Sequence, residues 1–313
     1  MYIPASFREE HLPTLHAFLD AHPLAALVTA VDGPASLYAT HLPLVLERSA
    51  GPLGTLRGHL ARANPHVRHL AAGAAPVIVL FSGPDAYITP NWYARKAEDG
   101  RVVPTWNYVA VHAFLDAHPL AALVTAVDGP ASLYATHLPL VLERSAGQLG
   151  TLRGHLARAN PHVRHLAAGA APVVVLFSGP DAYITPNWYA RKAEDGRVVP
   201  TWNYVAVHAF GSAVLHDDPA FLRAHLETLT ARHEASRSMG WQVSDAPEEF
   251  IESQARAIVA LEIRIDRLEG KWKMSQNRAA ADIDGVIAGL GASGSPADRV
   301  VADIVAERRP ANR

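Results

Sequence analysis

The chain has 313 residues, of which 49% are apolar and 19% are charged, and its formal net charge is −2. This composition is typical of a globular protein and excludes extensive disorder, while the near-neutral charge excludes a strong general attraction to nucleic acid. The absence of cysteine excludes disulfides, thiolate metal sites and cysteine nucleophiles.

A long internal repeat organises the chain. Residues 16–111, called copy A, recur as residues 112–207, called copy B, and only two of the 96 positions differ. Solenoid repeats are about 20–50 residues long and diverge in sequence. The repeat therefore indicates a recent tandem duplication or an error in assembling the gene sequence, which the length of the re-amplified gene would distinguish. Without the second copy, the chain would have 217 residues.

Predicted elements begin with a helix near the N-terminus, where leucines recur at helical spacing in residues 12–19. A change from strand to helix is expected near His112, where the copies join. Within copy B, Asn160 followed by Pro161 predicts the start of a helix that runs to about residue 168. Segments rich in β-branched residues and bounded by turn signals predict strands. These are residues 120–127, 131–143, 149–156, 171–177 and 198–210.

The C-terminal part, residues 208–313, is present once. Asp218 and Pro219 predict a helix start, and residues 261–266 alternate between apolar and charged side chains as in a half-buried antiparallel strand. Two further helices are predicted after it. Short strands with interposed helices predict a mainly β fold with added helices (α+β), an antiparallel barrel that is partly duplicated.

Three segments follow from this pattern. Residues 1–111 hold the N-terminal helix and a first, incomplete copy of the barrel core. Residues 112–270 hold the second core with its completing helix and strand, and residues 271–313 hold a basic segment and the C-terminal helices. Copy A lacks the strands that follow residue 208 and would leave an exposed edge. Alternatively, the two copies pair within one chain as a pseudo-dimer.

Membrane attachment and export are not expected. The longest apolar stretch, residues 71–81, is about half as long as a membrane-spanning helix requires. Residues 1–11 lack the basic start and apolar run of a signal peptide. We therefore expect a cytoplasmic protein with no membrane partner.

Two motifs favour ordinary structural roles. Gly289, Gly291 and Gly294 match the spacing of a dinucleotide-binding fingerprint, but they follow a helix rather than a strand, so a helix end and a linker are favoured. His162 and His165 are three residues apart on a predicted helix, but no third ligand is evident. A surface helix is therefore favoured, and no metal site is predicted.

Two other segments favour ligand binding. The predicted helix start beside His155, Arg158 and Asn160 could bind an anion or phosphate through free backbone N–H groups, although an ordinary capped helix is an alternative. Residues 271–278 are rich in hydrogen-bond donors around one tryptophan, and residues 200–204 form a polar and aromatic cluster. Such segments could bind a phosphate or the polar edge of a planar ring. Alternatively, the first is a solvated loop and the second is a structural corner.

Taken together, the peptides GHLARANP, FSGPDAYITPNWYARK, VPTWNYVAVHAF and RLEGKWKMSQNR resemble the PaiB family of FMN-binding negative transcriptional regulators. The resemblance spans nearly all of the unique residues, and the inserted copy is the departure from it. It implies a split β-barrel related to the pyridoxamine-phosphate oxidase fold. Proteins of that fold usually form dimers that bind FMN near the dimer interface.

The resemblance also implies positions for the cofactor-binding residues. Near the ribityl phosphate it places Thr136, His137, His155, Arg158 and Asn160, for which copy A offers Thr40, His41, His59, Arg62 and Asn64. Near the flavin ring or ribityl chain it places Trp202, Asn203, Lys273, Gln276 and Arg278.

Three functions stay open on these grounds. The family implies an FMN-binding negative transcriptional regulator, although no helix-turn-helix or basic recognition helix is visible, so an effect on DNA could be indirect. A flavin-dependent oxidoreductase using NAD(P)H is the alternative, because a flavin carries the hydride chemistry itself. A module that binds haem or no flavin is the third. A homodimer or an intrachain pseudo-dimer is the expected assembly, and no catalytic residue is assigned.

Overall fold

The computed structural model describes residues 4–30, 37–51, 53–71, 77–108, 120–126, 133–167, 169 and 171–310. The change from strand to helix predicted near His112 lies outside the described residues. Two compact units make up the chain. The first unit comprises Met1–Phe177 and His208–Leu268, and the second comprises Ser178–Val207 and Glu269–Arg313.

Copy A forms small separate sheets. One sheet has the strand order β2-β1-β5, and β3 pairs with β4 and β6 with β7. The elements, which include the predicted N-terminal helix, are α1 (Leu12–Ala21), β1 (Leu24–Ala30), β2 (Leu37–Pro43), β3 (Val45–Glu47), β4 (Thr55–Arg57), α2 (His66–Ala71), β5 (Val77–Leu80), β6 (Asp85–Ile88), α3 (Arg95–Glu98) and β7 (Thr105–Tyr108).

Copy B and the C-terminal part share one larger sheet. Its elements are β8 (Leu120–Ala126), β9 (Leu133–Pro139), β10 (Val141–Glu143), β11 (Thr151–Ala157), α4 (His162–Leu166), β12 (Ala171–Ile184), α5 (Arg191–Glu194), β13 (Thr201–His216), α6 (Pro219–Glu234), α7 (Glu248–Ala255), β14 (Ile258–Lys273), α8 (Ala280–Ala292) and α9 (Pro296–Glu307). Seven strands lie in the order β10-β11-β14-β13-β12-β8-β9. The pairs β10–β11, β11–β14, β12–β8 and β8–β9 are antiparallel. The predicted mainly β fold with added helices is confirmed.

One strand explains why the two copies fold differently. In copy B, β11 pairs with β14 over all seven of its residues, with Gly154 opposite Leu261. The same sequence in copy A forms only the three-residue β4, which pairs with β3. Because β14 lies in the part of the chain that occurs once, it pairs with one copy, and strand length follows the available partner rather than the local sequence.

Equivalent apolar faces of the two copies pack into one core. Val28 of copy A and Val124 of copy B are fully buried in the same cluster, as are the matching pairs Leu37 and Leu133, and Leu80 and Leu176. Each matched pair is separated by 96 positions, and we call such residues twins. The same surface patch is therefore used by both copies, as in a two-fold symmetric dimer interface.

In the second unit, the glycines of the dinucleotide-like motif lie in α8 and just after it. Gly289 and Gly291 lie inside α8, and only Gly294, with φ +79°, follows the helix. A Cβ atom at Gly289 would lie 2.3 Å from the ring of Trp188, and one at Gly285 would lie 1.9 Å from its carbonyl oxygen. The predicted helix end is confirmed at Gly294, whereas Gly289 is a close-contact position.

Within the described part of the chain, no helix combines the length and the apolar character needed to cross a membrane.

The shared core predicts that copy A contributes to the stability of the first unit. Leu80→Ala should lower the free energy of unfolding by about 2–5 kcal/mol, the usual cost of removing a buried leucine side chain. The twin variant Leu176→Ala should cost a similar amount, because both side chains lie in one cluster. Urea denaturation followed by circular dichroism measures both. An unchanged unfolding curve for Leu80→Ala would contradict the shared core.

Candidate functional site

The first unit contains a cavity of about 460 Å³, which is within the roughly 300–1,000 Å³ of small-molecule sites. Three parts of the chain form its walls. An aromatic wall comes from copy A: Tyr87, Val103, Pro104, Thr105 and Trp106. A polar wall comes from copy B: Thr136, His137, His155 and Asn160. A helical wall comes from the C-terminal part and includes Leu226, Leu229, Thr230, Trp241, Val243 and Ile251.

Hydrogen bonds hold the polar wall rigid. The amide Nδ2 of Asn160 donates to Thr136 Oγ1 at 3.2 Å, and its Oδ1 accepts from the backbone N–H of His162 at 3.0 Å. The His162 ring lies 2.8 Å from both Thr136 Oγ1 and Thr125 Oγ1. The predicted surface helix is therefore wrong at His162, which is fully buried because its ring links two strands through these threonines.

The histidines around the polar wall are neutral. His155 Nδ1 lies 3.2 Å from Nε2 of His225 on α6. Burial lowers the pKa of His155 and of His137 to about 4. Burial, the neighbouring His155 and then Arg153 lower the pKa of His225 to about 3. Since no Lys, Arg, Asp or Glu is among the described lining residues, the cavity is uncharged at pH 7.

Contacts with α6 and the chain after it hold the aromatic wall in place. Tyr87 Oη donates to Glu234 at 2.9 Å, and its ring stacks on His233 with centroids 5.0 Å apart. Burial and this hydrogen bond raise the pKa of Tyr87. Trp106 packs edge-on against Tyr87, and the guanidinium of Arg237 lies 5.3 Å from the Tyr87 ring centroid. A segment of copy A is thereby held against a helix that follows only copy B.

Two tryptophans that line the cavity carry buried hydrogen-bond donors. The indole Nε1 atoms of Trp106 and Trp241 are buried, and neither has an acceptor among the described residues. Trp241 is only 1% exposed. Buried donors normally have partners, so acceptor atoms of a ligand would satisfy these two groups. Sequence reasoning missed both residues: Trp106 is the twin of the predicted Trp202, but no motif surrounds Trp241.

Four of the five residues predicted near the phosphate in copy B line the cavity, and Arg158 does not. Arg158 forms an ion pair with Asp217, and its Nε donates to the carbonyl oxygen of Arg256 at 3.1 Å. It lines a neighbouring groove of about 520 Å³ that shares Leu226, Ile251 and Ala255 with the cavity. At the predicted helix start, the Asn160 side chain already bonds to Thr136 and to the backbone of His162. The helix that follows, α4, has only five residues.

The copy A equivalents repeat the hydrogen bonds around Asn64 but do not line this cavity. Thr40 and Asn64 form a hydrogen bond at 3.3 Å, and His41 stacks on His208. His59 and Arg62 are exposed, because β4 ends at Arg57. None of these five predicted residues lines the cavity.

The remaining predicted residues lie together in the second unit. Asn203 Nδ2 donates to Ser275 Oγ at 3.0 Å, and Ser275 has a φ of 61°, which is unusual for a residue with a side chain. Lys273 donates to the carbonyl oxygen of Trp202, and burial lowers its pKa to about 8. Contacts with neighbouring residues complete the cluster: Gln276 Nε2 donates to the Trp272 carbonyl oxygen at 2.7 Å, and the Arg278 guanidinium lies 4.8 Å from the Tyr189 ring centroid.

Comparison with known proteins defines the class. The family model described as "Putative FMN-binding domain" matches the chain twice, over residues 1–114 and 112–267. "Protease synthase and sporulation protein PAI 2" of Bacillus subtilis is 30% identical over 222 residues, covering 71% of this chain and 97% of the relative. An uncharacterised protein of Emericella nidulans is 39% identical, covering 61% and 89%. The FAD and heme binding protein of Mycobacterium smegmatis is 22% identical with a TM-score of 0.36, covering 54% and 73%.

The family match, which covers most of the chain, defines a flavin-binding class of protein. The chain belongs to the PaiB-type FMN-binding family, and FMN is its cofactor. The resemblance noted in the four peptides is thereby confirmed.

The lowered histidine pKa values at the polar wall predict a loss of stability in mild acid. His155 has a pKa of about 4 in the folded chain, against about 6.5 when unfolded. The unfolded state therefore binds protons more readily, and the stabilisation present above about pH 6.5 is lost as the pH falls toward 4. Urea midpoints should fall over this range, and His155→Gln should reduce the slope.

The twin variant His59→Gln is the matched control, since His59 is exposed. It should leave the pH dependence of the urea midpoint unchanged. An equal effect of the two variants would show that burial of His155 is not the cause.

Proposed function

We propose that the cavity holds the flavin ring of FMN between the aromatic and polar walls. The buried indole N–H of Trp241 carries this proposal, because it needs an acceptor and the flavin ring has carbonyl oxygens and ring nitrogens at its polar edge. The Trp106 indole supplies a second donor, and the polar wall from copy B completes the site. The described lining residues carry no charge and include many apolar side chains, which suits a planar, uncharged ring.

The phosphate of FMN belongs outside this cavity in our proposal. Transfer of a charged phosphate into uncharged surroundings is costly without a paired charge. The neighbouring groove is lined by Arg158, Arg223 and Arg256 and also by acidic residues. Arg158 would give up its ion pair with Asp217 and bind the phosphate instead. Arg158 would then have the phosphate-binding role that the sequence predicted for it.

Comparing FMN with riboflavin, which has the same ring and no phosphate, separates the two parts of the site. Trp241→Phe should weaken both ligands about tenfold, because it removes one buried hydrogen-bond donor to the ring. Arg158→Gln should weaken FMN and leave riboflavin unchanged. Titration monitored by flavin fluorescence measures the dissociation constants.

Arg62→Gln, the twin substitution in copy A, is the control and should change neither constant, since Arg62 is exposed and away from the cavity. Equal loss of FMN and riboflavin in Arg158→Gln would contradict the phosphate assignment. Unchanged binding in Trp241→Phe would contradict the ring assignment.

We further propose that the FMN-bound chain is a PaiB-type negative regulator of gene expression. It acts without binding DNA directly. The Bacillus subtilis relative, whose name refers to protease synthesis and sporulation, supports the regulatory role. The formal charge of −2 supports an indirect effect, because direct DNA binding depends on neutralising phosphates. The cofactor supplies redox chemistry when it is bound.

A gel shift with the chain's own promoter, at physiological salt and with FMN added, tests the indirect effect. We expect no shift and no salt-dependent retention, while deletion of the gene changes transcript levels of its targets. A specific shift that weakens with rising salt would show direct binding and overturn the indirect mode.

A further inference from the structure

We infer that copy A is a built-in partner subunit: it supplies the aromatic wall of a ligand cavity whose polar wall comes from copy B. Only the identity of the ligand, FMN, depends on the function proposed above. The pairing of the copies and their division of labour depend on contacts within the first unit.

The shared core is the first support. Val28 and Val124, which are twins, are both 0% exposed in one cluster, and Phe210 from the C-terminal part joins it. Using the same patch on both partners is how two identical subunits form a closed pair. Here a single chain provides both partners, so this patch is covered without a second chain.

The aromatic wall is the second support. Tyr87 in copy A is 9% exposed, whereas its twin Tyr183 in copy B is 49% exposed. The sequences around these tyrosines are identical, so the difference comes from their surroundings. Tyr87 is fixed by Glu234 and His233 at the end of α6, and α6 occurs only once in the chain.

The polar wall shows the opposite asymmetry. His155 lies in β11, which is seven residues long, and contacts His225 on α6. Its twin His59 follows the end of β4 and is exposed. Since β14 and α6 each occur once, they complete the polar wall of copy B alone. The copy A set does not line the cavity described above.

Twin substitutions in the full chain test this division. Tyr87→Ala should raise the dissociation constant for FMN about tenfold or more, through loss of an aromatic wall, and Tyr183→Ala should leave it unchanged. The polar wall reverses the pattern: His155→Ala should weaken FMN and His59→Ala should not. Trp106→Phe, which retains an aromatic ring, is a milder variant in case Tyr87→Ala unfolds. Titration of the unsubstituted chain should saturate at one FMN per chain, at the mass of one chain by light scattering.

Two FMN per chain, or equal effects of both members of a twin pair, would overturn the inference. So would binding that appears only in a two-chain species. If the chain binds no FMN at all, the proposed function fails while the pairing is still tested. In that case a single-chain mass, together with a melting temperature lowered by Tyr87→Ala and not by Tyr183→Ala, supports the built-in partner. A two-chain mass or equal melting temperatures would refute it.

Discussion

The pairing of β11 with β14 is the constraint on which the rest of the structure depends. It extends β11 to seven residues, places His155 beside α6 and joins copy B to the C-terminal part in a single sheet. β14 is present once and its other edge is occupied by β13, so the edge that pairs with β11 is available to one copy only. The asymmetry between two nearly identical sequences follows from that limit and from nothing in the sequences themselves.

Copy A adopts a different role under the same constraint. Its hydrophobic face is buried against the matching face of copy B, and its aromatic segment packs on α6 through Tyr87. Burial of apolar area holds the two copies together, and polar contacts at the cavity set the orientation of the aromatic wall. One chain thus forms a cavity with walls from both copies.

Much of the fold could be predicted from sequence periodicity. Alternation in residues 261–266 and the turn signals predicted the strands, and the repeat identified the copies. Local patterns could not distinguish His59 from His155, because a strand's length depends on a partner far away in the chain. They also could not find Trp241, whose buried donor has meaning only in the folded cavity. His162 looked like a surface residue because its threonine partners are distant in sequence.

Unequal exposure of twin residues has an evolutionary consequence. At Tyr87 and Tyr183, and at His59 and His155, one member is held in a contact with the C-terminal part and the other is exposed. Selection therefore acts on opposite members of the two pairs. Once recombination between the two copies stops, copy A should lose its polar residues first, and copy B should lose its exposed aromatic residues first. The repeat would then diverge into two complementary halves of one gene.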